Sequence, residues 1–158
     1  MRAKKLACNL AIAVAFLAYL SPTAFSQNTG IAALENEAVE TLQRYLQIDT
    51  INPPGNESRA VKFFAEIFEA EGIPYETAES APARGNIWAR RKGGSEPALL
   101  LLNHNDVVPA DESYWSVSPL AGEIRDGHLD GRGALDMKST GIFQFQSFLA
   151  LHRAEHRS

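Results

Sequence analysis

The sequence predicts an α/β domain, and three observations predict it. Ile31 to Ile48 and Ser58 to about Gly72 carry apolar side chains at helical period. Ile73 to Ala78 and Asn86 to Arg91 read as strands. Ala98-Leu99-Leu100-Leu101-Leu102 is then an apolar run without polar alternation, the pattern of a strand buried on both faces in the centre of a helix-covered sheet. Two helices, two strands and a central strand make an α/β order.

Taken from the start, Met1 to Ser26 has the anatomy of a secretory signal peptide. Arg2, Lys4 and Lys5 make a basic start, Leu10 to Leu20 an apolar stretch, and Ala24-Phe25-Ser26 places small residues where a signal peptidase reads. Cleavage before Gln27 is expected, and the location expected is secreted or periplasmic. The apolar stretch is short for a bilayer, so no stable membrane span is expected after cleavage. Residues 27–158 then form one domain or part of one. They hold 12 basic and 19 acidic residues, a net −7, which argues against nucleic acid as a partner. The single cysteine, Cys8, lies in the leader. Any metal must therefore be held by histidine and carboxylates.

After a polar entry at Gln27 to Gly30, the first helix puts Ile31, Leu34, Ala38, Leu42, Tyr45 and Leu46 on one face. Asn52-Pro53-Pro54-Gly55-Asn56 demands a loop. Ser58 is the expected N-cap of the second helix, whose apolar face is Val61, Phe64, Ala65 and Phe68. Pro74 suits a strand start. Glu123-Ile124-Arg125 and His128-Leu129-Asp130 flank Asp126-Gly127, a strong hairpin signal. From Ser139 or Thr140 to about Glu155 the period is helical again, through Ile142, Phe145, Leu149 and His152.

The chemistry sits where the apolar run ends. His104 lies two residues past its end, at the expected carboxyl end of a strand, where sites gather in α/β sheets. Asp106, two residues on, points the same way in an extended segment. It can accept a hydrogen bond from the imidazole nitrogen of His104 that is not on a metal, fixing the ring. Asp136 follows the Gly131-Arg132-Gly133 turn, just before a helix. Other residues read as ordinary. His128, His152 and His156 fit solvated positions, Trp115 fits packing, and Lys138 fits a solvated or capping role. Gly131 to Gly133 supports a phosphate or nucleotide loop only weakly, because neither the lysine nor the third glycine of such motifs is present.

Leu101-Leu102-Asn103-His104-Asn105-Asp106-Val107-Val108-Pro109, Trp115, Ser118-Pro119-Leu120, and Asp126-Gly127-His128-Leu129-Asp130-Gly131-Arg132-Gly133-Ala134-Leu135-Asp136-Met137-Lys138 together closely resemble the M20 (M20/M25/M40) family of zinc metallopeptidases and amidohydrolases. That group includes the carboxypeptidase S and acetylornithine deacetylase relatives. Leu46 to Gly55 resembles the usual start of its catalytic domain. The resemblance implies a three-layer zinc-peptidase-like catalytic domain with a central mixed sheet. It implies His104 as a ligand of one zinc, Asp136 as a bridge between two, and Asp106 as the catalytic residue that orients His104. Co2+ or Mn2+ are alternative metals. The implied substrate is a small peptide or an N-acyl amino acid, cleaved at an amide bond near a free carboxylate.

The sequence departs from that pattern after Asp136. The family's paired glutamates, one the general base and one a ligand, and its later carboxylate and histidine ligands have no counterpart in the 22 residues that follow. The lid or dimerisation domain is absent as well. The expectation is an N-terminal fragment of an exported hydrolase, incomplete at its C-terminal side and inactive alone. The alternative is a non-catalytic remnant, or a fragment that binds a partner through an exposed sheet edge.

Overall fold

The computed structural model describes residues 23–155. The expected leader lies outside them, apart from its last four residues. The chain divides into two compact units, Met1–Glu35 and Asn36–Ser158. Helix α1 (Thr23–Leu46) runs through the position expected for cleavage and takes in the expected polar entry. Once a helix is nucleated each further residue adds a hydrogen bond, so a short polar stretch need not end it. In the first unit Ile31, expected on the apolar face, is exposed. No helix among the described residues is long and apolar enough to cross a membrane.

The second unit holds the end of α1, then α2 (Glu57–Ala70), β1 (Tyr75–Glu79), β2 (Gly85–Ala89), a 3-10 turn (Glu112–Tyr114), β3 (Glu123–Arg125), β4 (His128–Asp130) and α3 (Ser139–Glu155). Helix α2 begins two residues earlier than expected. Its N-cap is Asn56, and the Ser58 hydroxyl instead donates to the Glu79 carboxylate. The core is aromatic: Tyr45, Phe63, Phe64 and Phe68 pack with Ile73, Ile142 and Leu149. Phe64 meets Tyr45 edge-on at 5.0 Å and Phe145 at 5.1 Å, an arrangement the ring quadrupoles favour.

Strands β1 and β2 pair antiparallel, Thr77 opposite Ile87, and turn Ile87 and Ala89 toward the core. Gly85 lets β2 lie close on α2, since a Cβ there would sit 2.7 Å from the Ser58 hydroxyl. Strands β3 and β4 form the expected hairpin, with Asp126 (φ 51°) and Gly127 (φ 77°) supplying the two left-handed residues of its turn.

The expected central strand is not there. Ala98 to Leu102 forms no ladder, and Leu99, Leu100 and Leu102 are 84%, 78% and 73% exposed. A strand buried on both faces needs neighbours for its backbone and layers above and below. Among the described residues none cover this run. Its continuation makes a parallel pairing, a bridge between Val107 and Ile51, with Asn52 N donating to Val107 O at 2.8 Å and Val107 N to Thr50 O at 3.1 Å. The described residues therefore give a mixed α/β structure with two small antiparallel sheets, not a central mixed sheet.

Candidate functional site

The bridge to Ile51 fixes Val107, and so fixes the two residues before it. Thr50 Oγ1 donates to Asn105 O at 2.7 Å and the Tyr45 hydroxyl to Asn105 Oδ1 at 2.8 Å. This ties the segment to the end of α1 and to the stretch that follows it. His104 Nδ1 lies 3.1 Å from Asp106 Oδ1 and 3.0 Å from Asp106 O, while its Nε2 lies 3.0 Å from Asp136 Oδ1. The spacing that turned His104 and Asp106 to one side thus brings them into contact. Asp136 arrives from 32 residues away.

Asp136 is delivered by a wide, π-type turn, Ala134–Lys138, in which Asp136 (φ −123°, ψ 96°) and Met137 leave helical geometry. Gly133 (φ 87°) starts that turn in a conformation suited to glycine. Lys138 ends it and is fully buried. The expectation of a solvated lysine is corrected; the capping role is what the structure has. Its ammonium donates to Tyr45 O, in the last turn of α1, and to Ile48 O just past the helix, both at 2.9 Å; Tyr45 O accepts from Ile48 N as well. It also stands 4.5 Å from the Tyr45 ring centre, an attractive placement for a cation. Burial pushes its pKa down to about 8 against the pull of Asp49.

Several contributors had no signal in the sequence beyond loop chemistry. Asn52 Nδ2 donates to Asp106 Oδ2 at 3.0 Å, and Arg84 Nη1 donates to Asn52 Oδ1 at 2.9 Å. Arg84 Nε is ion-paired with the buried Glu57 at 3.1 Å. The Asn52 bond, with the nearby His104, holds the Asp106 carboxyl below its usual range. The bond to Asp136, with Asp106 adding to it, raises the His104 pKa against a smaller desolvation effect. A cleft of about 440 Å³ opens here, lined by Arg84, Asn86, Asn103, His104, Asp106 and Met137 among others.

The remaining histidines and Trp115 do not join the site. His128 is exposed on the hairpin. His152, expected on a solvated helix end, is half-buried with Nε2 3.1 Å from Glu71 O. His156 lies outside the described residues. Trp115 packs beneath the Arg132 guanidinium, 5.2 Å from its ring centre.

Two ligands of one zinc, each at about 2.0–2.2 Å, lie roughly 3 Å apart, the separation of His104 Nε2 and Asp136 Oδ1. The donor types, an imidazole nitrogen and a carboxylate oxygen, fit a divalent ion. The number does not suffice: among the described residues no group of three or more histidine, cysteine or acidic side chains could hold a metal.

Residues 100–158, which include His104, Asp106 and Asp136, match the sequence model of peptidase family M20/M25/M40. A succinyl-diaminopimelate desuccinylase of Wolbachia pipientis wMel is 36% identical over 110 residues, covering 69% of this chain and 27% of that protein. The chain belongs to peptidase family M20/M25/M40. It spans about a quarter of the length of that M20 relative. The M20 match starts at position 100, so Asn52, Arg84 and the end of α1 brace the matched segment from outside it.

Proposed function

We propose that this chain is the N-terminal part of an exported, zinc-dependent M20 hydrolase that cleaves amide bonds in small peptides or N-acyl amino acids. The observation that carries the reading is His104, with Nδ1 on Asp106 and Nε2 facing Asp136 at 3.0 Å. The desuccinylase relative supports an N-acyl amino acid as substrate, since it is named for removing an acyl group. His104 and Asp136 would hold zinc, with Co2+ or Mn2+ as substitutes. A bound metal of this kind lowers the pKa of a water and polarises the scissile carbonyl. The chain's own part is to present Nε2 as a lone pair, keep the proton on Nδ1 where it donates to Asp106, and leave the Asp136 carboxylate, 89% exposed, open to a metal. Further ligands and a general base come from outside these 158 residues, and the central sheet that would cover Leu99 to Leu102 comes with them.

The second reading is a non-catalytic chain that associates with a partner through this uncovered run. The exposure of Leu99, Leu100 and Leu102 favours it. Zinc stoichiometry by elemental analysis after dialysis, with an amide-hydrolysis assay on the same sample, separates the two. The proposal expects that an M20 protein containing this segment loses zinc and activity on His104→Ala; unchanged zinc and activity would overturn it.

A further inference from the structure

We infer that Asn52 and Arg84 are positioning residues for the site, forming a directional hydrogen-bond chain that sets which nitrogen of His104 carries the proton. The inference rests on reading His104 as a metal ligand.

The direction comes from Arg84. A guanidinium only donates, so the atom of Asn52 facing Arg84 Nη1 at 2.9 Å must be the amide oxygen. The Asn52 nitrogen is then left facing Asp106, and donates to Oδ2 at 3.0 Å. An ionised carboxylate only accepts, so its other oxygen, Oδ1, asks for a proton on His104 Nδ1, 3.1 Å away, and the Asp106 carbonyl, 3.0 Å from the same nitrogen, asks for it as well. That leaves Nε2 as a lone pair on the Asp136 side, the form a metal ligand needs. Arg84 is itself held by two further contacts, Glu57 at 3.1 Å and Pro54 O at 3.3 Å. An arginine that only steadied the Pro53-Pro54-Gly55 loop would need the carbonyl contact alone. The amide of Asn52 is used at both ends, and one end serves the site.

The direction matters because His104 is contested. Asp136 Oδ1 stands 3.0 Å from Nε2 and draws the single proton of a neutral ring the other way. Asp106 is the better-held competitor, with its side chain 34% exposed against 89% for Asp136.

The test is nitrogen NMR of the full 158-residue chain with labelled histidine, at a pH where the rings are neutral. The four histidines are separated by a His104→Gln variant. The expected result is a wild-type His104 protonated mainly on Nδ1. Asn52→Ala should lower the Nδ1-H to Nε2-H ratio by roughly two- to ten-fold, the worth of one hydrogen bond. Asn52→Asp keeps the shape but places an acceptor against Asp106, and should lower the ratio further. Arg84→Met should act in the same direction. Arg153→Met, which cuts an ion-pair cluster on other helices, should lower stability and leave the ratio alone. If one Asn52 variant fails to fold by near-UV circular dichroism, the other is read. A wild-type ring protonated on Nε2, or a ratio unmoved in the folded Asn52 variants, overturns the inference. Zinc chloride added to the same samples tests the metal reading separately. If Nε2 does not respond to zinc while the Asn52 variants still move the ratio, the metal reading fails and the positioning chain stands. The converse pattern sinks the chain and keeps the metal.

Discussion

The ammonium of Lys138 donates to the carbonyl of Tyr45 at 2.9 Å, although 93 residues separate the two in sequence. That bond, with its twin to Ile48 O, joins the turn carrying Asp136 to the helix end that also braces Asn105. Both limbs of the site are therefore referenced to the same last turn of α1.

Lys138→Met should destabilise the fold by about 1–3 kcal/mol, because it removes the donor to Ile48 O and one of the two donors to Tyr45 O. Urea unfolding checks this. The pH dependence has a definite sign. The folded pKa of Lys138 is depressed from 10.5 to about 8, so between those values the unfolded chain binds more protons. Stability from this group is lowest below about 8 and rises as pH climbs toward 10.5. Lys138→Met should flatten that rise. A wild-type profile that falls across this window would contradict the assignment.

His104 gives the opposite sign. Its folded pKa is raised, first by the bond to Asp136, so its contribution is fully present below its ordinary value of 6.5 and fades as pH rises through the folded value. The ring is nearly half-exposed, so solvent screening keeps the stability effect small. The titration itself is the better readout. Asp136→Asn should bring the midpoint of the His104 ring signals down toward 6.5 in metal-free protein; an unmoved midpoint would show that the two side chains do not meet in solution.

Local features of this fold were legible in the sequence, and distant ones were not. The hairpin at Asp126-Gly127 and helix α3 follow from neighbouring residues alone, and both are found near their expected bounds. The contact of His104 with Asp106 is local in the same sense. Ala98 to Leu102 forms no strand among the described residues, because apolar pattern states what a strand would bury, not whether a neighbour is present to pair with it. Lys138, Asn52 and Arg84 act across 93, 54 and 32 residues respectively, and a lysine before a helix or an asparagine before two prolines looks the same with or without such a partner. Gln146, buried on the inner side of α3, gave no polar warning either.

Arg153 makes a second prediction about stability. It forms a paired contact with Glu37, at 2.7 and 2.8 Å, and a further bond to Glu71 at 2.9 Å, tying α1 to the end of α2 from α3. All three side chains are partly buried, and the arginine lowers the pKa of both glutamates. Their contribution is present above the ordinary value of 4.5 and lost as pH falls through the lowered folded values. Arg153→Met should cost about 1–2 kcal/mol near neutral pH, allowing for partial solvent screening. It should also remove part of the loss of stability on acidification, measured as the urea midpoint across pH. A variant as acid-sensitive as the wild type would mean the cluster is not formed in solution.

Gly133 is where the Asp136 turn touches the His104 segment, and it is constrained twice. Its φ of 87° is one that a side chain adopts only under strain, and a Cβ there would stand 2.5 Å from Val107 Cγ1. Val107 is buried and locked by its bridge to Ile51, so it has little room to yield. Gly133→Ala should therefore destabilise by on the order of 2–4 kcal/mol, as backbone strain and overpacking add. The two causes separate in the double variant with Val107→Ala. That change opens space for the new methyl but leaves the backbone angle strained, while adding its own cavity cost. The urea midpoint of the double variant should lie above the sum of the two single losses by the share due to the clash. Strict additivity would mean that the angle alone makes glycine necessary, and that Val107 shifts aside without disturbing Asp106.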